Sequence, residues 1–162
     1  MTYKTEYSKE EWAAFMHAPY FAGAYIQYAD VHHQDQKKEV HAMVAEATLW
    51  VIPDAAKELM RPLYADIGKF REDNKNLPGY DEEADPQAHR DEALPHLREV
   101  MAILAAKATA EEQDAFREWL MDVGQKTAEA AKESRLGVFG KRVSDEEQSA
   151  LDELKTALTD SQ

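Results

Sequence analysis

The chain has 162 residues, no cysteine and a formal net charge of −13, from 32 acidic and 19 basic side chains. The absence of cysteine excludes disulfides, thiolate catalysis and sulfur-ligated zinc or iron–sulfur sites. The charge opposes nucleic-acid phosphates and the anionic face of a membrane, so no nucleic acid and no membrane insertion is expected. A domain of this length buries roughly two thirds of its unfolded surface in one core, without a covalent staple. The opening residues carry no basic start followed by an apolar run, which makes the cytoplasm the expected location.

Ser8, Thr109 and Ser144 are each followed three positions later by glutamate: Glu11, Glu112 and Glu147. In a capping box the hydroxyl accepts from the third helical N–H while the carboxylate reaches back to the N–H of the cap, so these residues mark helix starts. Between them no period-2 alternation of β-branched residues ends in a tight glycine turn. The expected fold is therefore all-α, a single-domain antiparallel bundle of five to six helices.

The first helix is expected over residues 8–30, with Trp12, Phe15, Met16, Pro19, Gly23 and Ile26 on one stripe. Tyr20, Phe21, Tyr25 and Tyr28 surround that stripe. A helix that is apolar all round belongs at the centre of a bundle. The uncharged run 13–29 holds His17, Pro19, Gln27 and three tyrosines, and is shorter than the roughly 20 apolar residues a bilayer span needs. Asp35 is placed to cap a second helix, to about residue 51, with Val40, Met43, Val44 and Ala47 inward. Ile52-Pro53-Asp54 ends it and opens a third, whose inner face is Ala56, Leu59, Met60, Leu63, Ile67 and Phe70.

Residues 74–85 form an acidic loop around Pro78-Gly79, a type II turn signal, and it should be the most exposed part of the chain. Asp85-Pro86 can start the fourth helix, but Pro95 leaves two readings open: a kink there or a later start. Leu94, Leu97, Met101 and Leu104 line its face. The fifth helix follows Thr109 and buries Phe116, Trp119, Leu120, Val123 and Thr127. A glycine-containing turn at 135–143 leads to a short sixth helix carrying Leu151, Leu154 and Leu158. Residues 1–7 and 159–162 are expected to be flexible ends.

Around the caps Thr109-Ala110-Glu111-Glu112 and Val143-Ser144-Asp145-Glu146-Glu147 the chain resembles small all-helical bacterial proteins that include the tellurite-resistance B-like domains. That resemblance implies a compact helical bundle from a bacterium. In that group an acidic residue and a glycine precede such a cap, and the acids can hold a metal. Here Lys107-Ala108 and Gly140-Lys141-Arg142 stand in those places, so the acidic half is missing.

No nucleophile–base pair, phosphate loop or metal finger is evident, and the chain reads as a non-catalytic module for protein–protein interaction or self-association. The alternative is a bundle that binds a divalent metal or a small ligand. Its candidate metal ligands are Asp30 and His33, one turn apart at the end of helix one, with His89, Glu92 and His96 along helix four. The Glu-x-x-His pairs of a di-iron bundle and the His-Glu-x-x-His of a zincin are both absent. The tyrosines and Trp12, Trp50 and Trp119 could line a pocket, although aromatics at helical spacing ordinarily form core.

The helix-five assignment predicts that Trp119→Ala costs about 3–5 kcal/mol, by lost transfer energy and a cavity. Ser144→Ala should cost about 1 kcal/mol, the usual value of a cap. Urea denaturation midpoints rank the two, and a larger loss at the cap would show that Trp119 does not face the core.

Overall fold

The structure is a computed structural model that describes residues 1–30, 37–47, 49–134 and 143–160. Its helices are α1 (Lys9–Gln27), α2 (Lys37–Ala47), α3 (Lys57–Asn74), α4 (Pro86–Lys107), α5 (Ala110–Ser134) and α6 (Asp145–Thr159). Short 3-10 turns at Lys4–Glu6 and Asp54–Ala56 precede α1 and α3. The fold is all-α, and no strand occurs among the described residues.

All three capping boxes form. Ser8 Oγ accepts from Glu11 N at 3.1 Å while Glu11 Oε2 accepts from Ser8 N at 2.7 Å. The same exchange links Thr109 with Glu112 and Ser144 with Glu147. Asp85 caps α4 by accepting from Ala88 N at 3.0 Å, with Pro86 in the first turn where its missing N–H costs nothing. The helix then runs unbroken through Pro95, which settles the two readings of that proline. Pro95 is exposed, as is Asp91 four residues earlier, whose carbonyl loses its helical donor, so water can serve that group.

Helix α1 is the centre of the bundle. Every residue from 18 to 28 is buried, on all faces, and α1 packs most extensively on α4 and α5. Lys107 meets Glu11 while Arg90 lies over the Tyr25 ring, so α1 and α4 run antiparallel. The two-residue link at 108–109 reverses the chain again, and Phe15 meets Phe116 while Gln27 meets Thr127, so α5 runs alongside α1 in the same direction. Helix α6 returns antiparallel to α5, with Leu158 near Arg117 and Leu154 against Gly124. One contiguous apolar core takes side chains from all six helices.

Two glycines set how closely these helices approach. A Cβ on Gly23 would lie 2.6 Å from Val44 Cγ2, and one on Gly124 would lie 2.9 Å from Leu154 Cδ2. Gly68, in the middle of α3, differs: among the described residues a Cβ there would meet nothing within 4 Å.

Three segments depart from expectation. The Pro78-Gly79 loop is folded in rather than most exposed. Leu77 and Pro78 are buried, and Gly79, at φ +90°, passes close enough to His17 that a Cβ would stand 3.3 Å from the His17 Cβ. The apolar pair Leu77-Pro78 finds room against α1 and α2, and burying it outweighs exposing a turn. Residues 1–7, expected as a loose end, are fastened to the bundle: Thr2 and Tyr7 are buried, and Glu112 accepts from Thr2 N at 2.6 Å and from Thr2 Oγ1 at 3.0 Å. Helix α2 ends at Ala47, before the expected residue 51. Residues 49–52 lead non-helically into Pro53, which disfavours helical backbone at Ile52. The expected cap Asp35 and most of the turn at 135–143 lie outside the described residues.

The same substitution should have opposite signs at two helical glycines. Gly23→Ala forces Val44 aside and should destabilise by about 1–3 kcal/mol. Gly68→Ala meets open space and should stabilise by about 0.5–1 kcal/mol, the helix-interior difference between the two residues. Urea midpoints of both variants check this, and a loss at Gly68 would contradict the open site.

Candidate functional site

Of the five residues expected as metal ligands, the four that lie among the described residues, Asp30, His89, Glu92 and His96, do not gather in a group of three or more. Asp30 is 7 % exposed just beyond α1 and is engaged by a neighbouring group, whereas His33 lies outside the described residues. His89 is buried edge-on against Tyr20 and Phe21, at ring separations of 5.5 Å and 6.0 Å. His96 packs on the Phe21 ring at 4.7 Å, so both imidazoles rest against the same benzyl group. Glu92 is exposed. Among the described residues no three His, Asp or Glu side chains gather as a metal would require.

These histidines instead belong to an aromatic layer built on α1. His17 stacks on His96 at 6.1 Å, and Tyr20 meets both His41 and Tyr80. The hydrogen bonds fix two tautomers. A carbonyl only accepts, so His96 donates from Nε2 to Ala14 O at 3.0 Å; an amide only donates, so His41 Nε2 accepts from Leu77 N at 2.8 Å. His41 therefore holds the loop to α2 only while its ring is neutral. Burial, and secondarily the nearby Arg71 guanidinium, lower its pKa below the usual imidazole value. Burial, with His96 adding, lowers that of His17.

A different surface is concave, along α3 beside Leu49 and Trp119. A slot of about 80 Å³ is lined by Leu49, Tyr64, Ile67, Gly68, Arg71 and Trp119. Trp119 forms its floor, fully buried, with its ring 5.1 Å from Tyr64 and its indole hydrogen-bonded to the Tyr64 hydroxyl. Over Gly68 and Arg71 the slot opens into a shallow cleft of about 450 Å³ lined also by His41, Glu72 and Lys75. Arg71 is exposed and forms no ion pair among the described residues. Lys75, in the left-handed conformation that ends α3, donates to Glu72 O at 2.7 Å.

Beside the slot the segment 49–52 alternates. Trp50 and Ile52 pack on the core, while Leu49 and Val51 point outward with 69 % and 87 % of their surface exposed. Lys126 pins the segment by donating to Leu49 O at 2.9 Å. Sequence reasoning named the tyrosines and Trp119 as aromatics that could line a pocket but missed Gly68, Arg71 and the outward pair Leu49 and Val51. The available signal was Gly68, a lone glycine inside an otherwise regular helical stripe.

Comparison with protein-family models, with curated proteins and with solved structures found no match to this chain. Among the described residues no helix is long and apolar enough to cross a membrane.

The His41 bond yields a pH dependence. Because the folded pKa is lowered, the neutral ring and its bond are intact above about pH 6.5, the usual imidazole value, and stability is lost as pH falls below it. The hydrogen-exchange protection factor of the Leu77 amide should fall several-fold between about pH 7.5 and about pH 5.5, with intrinsic exchange rates corrected. Equal protection at both would remove the neutral His41 as what holds the loop.

Proposed function

We propose that the protein is a non-catalytic helical module that docks a segment of another protein on the face made by Leu49, Val51 and the slot above Trp119. The observation that carries this reading is the adjacency of two outward aliphatic side chains to an apolar slot. Single exposed aliphatics are ordinary, but a contiguous patch beside a concave site is the form that interaction surfaces take. Covering Leu49 and Val51 would contribute about 1.5–3 kcal/mol each.

Size separates this from the small-ligand alternative. Sites that enclose a small molecule have volumes of roughly 300–1,000 Å³ and bury most of it. The slot, at about 80 Å³, has room for one side chain, and the larger cleft beside it is open to solvent. The dispersed histidines and carboxylates give a metal less support than the patch gives a partner.

A displayed library of random peptides, panned on the wild-type protein, tests the reading. Recovered peptides should bind Val51→Asp and Gly68→Leu at least about tenfold more weakly, while both variants keep the helical circular dichroism of the wild type. No enrichment, or equal binding to all three proteins, would end the proposal. Light scattering should find a monomer. A dimer that Val51→Asp dissolves would put a second copy in place of the foreign partner.

A further inference from the structure

We infer that the docked segment presents an apolar side chain flanked by a carboxylate, the side chain entering the slot over Gly68 and the carboxylate pairing with Arg71. This rests on the interaction reading above and adds the chemistry of the partner. Arg71 lines both the apolar slot and the open cleft, so a group held by its guanidinium lies next to whatever fills the slot. A guanidinium presents a planar fork of N–H donors matched to a carboxylate, and this one has no acidic partner among the described residues in a chain of net charge −13. Lys75 adds a second full positive charge to the cleft, against the single carboxylate of Glu72.

Gly68 supplies an independent reason. It sits inside α3, where glycine is disfavoured, and its place is explained neither by close packing nor by a positive φ. It lines both the slot and the cleft. Among the described residues nothing in the fold requires the missing side chain, which leaves the space over Gly68 open to an incoming group.

The test is an amide-resolved NMR titration of the full chain with N-acetyl-L-leucine and with N-acetyl-L-leucinamide, which share a side chain and differ in the charge beside it. Both should shift the Gly68 amide and the Trp119 indole N–H, with the acid binding about tenfold more tightly. Arg71→Gln should reduce the acid to the affinity of the amide and leave the amide unchanged. Gly68→Leu, a substitution into open space that favours helix, should abolish both. Equal affinity of acid and amide for the wild type would overturn the carboxylate inference and leave the slot standing. A preference that survives Arg71→Gln would overturn the assignment to Arg71. No shift at Gly68 or Trp119 with either probe would overturn both the inference and the reading beneath it.

Discussion

The bundle depends on one constraint, that α1 has no polar face to show to water. A helix buried all round can exist only if neighbours enclose it, and each other element is placed to do so. Helix α4 covers it antiparallel, α5 parallel, and α2 and α6 close in where Gly23 and Gly124 allow backbones to approach. The loop at 77–80 covers the remaining stretch beside His17 and Tyr20, which accounts for a Pro-Gly turn that folds inward. Two polar groups of α1 find partners on neighbouring helices: Gln27 donates to Thr127 O, and the Tyr25 hydroxyl donates to Glu153. Burial, with Glu153 adding, pushes the Tyr25 pKa up to about 12, so the phenol stays a donor across the physiological range.

The helix starts were legible because a cap is a local pattern: Ser8, Asp85, Thr109 and Ser144 each bond within three residues of themselves. The core faces were legible because they repeat at the helical period, and Leu59, Met60, Leu63 and Ile67 are buried as their spacing required, with Phe70 only partly so. Features set by distant parts of the chain were not legible. Whether Pro95 kinks or begins a helix depends on solvent reaching the freed carbonyl. Whether Leu77 is buried depends on His41, 36 residues away in sequence, accepting its N–H. The surroundings of the α4 histidines are of the same kind, since spacing along α4 puts His89 and His96 on one face but cannot reveal that both rings pack against Phe21 of α1.

The surface proposed for docking is distinguished by what the fold leaves unused. Elsewhere several charged side chains pair with one another: Lys4 with Asp66, Lys107 with Glu11, Arg117 with Asp114 and Lys126 with Asp122. Near Gly68 an arginine, an open helical position and two outward aliphatics coincide, none of them needed by α1 or its neighbours. Trp119 and Ile67 belong to both the core and the slot, whereas Leu49, Val51 and Arg71 lie outside the core and can change without repacking it.

The capping glutamates carry a consequence beyond starting helices. Glu112 serves the first turn of α5 and, with the same carboxylate, holds Thr2, while Glu11 caps α1 and also accepts from Lys107 at the end of α4. Burial would raise the Glu112 pKa, but the N–H donors of Thr2 and Thr109 and the Thr2 hydroxyl outweigh it and hold it below the usual carboxylate range. The charge on Glu112 therefore favours the folded state above that range, and the contribution is lost as pH falls through the lowered folded value. The N-terminal segment and the first turn of α5, 110 residues apart in sequence, meet at one buried acceptor. Removing Thr2 would leave a dehydrated carboxylate that must take up a proton or admit water, so fraying at the first residues and loosening of the α4–α5 corner become a single event.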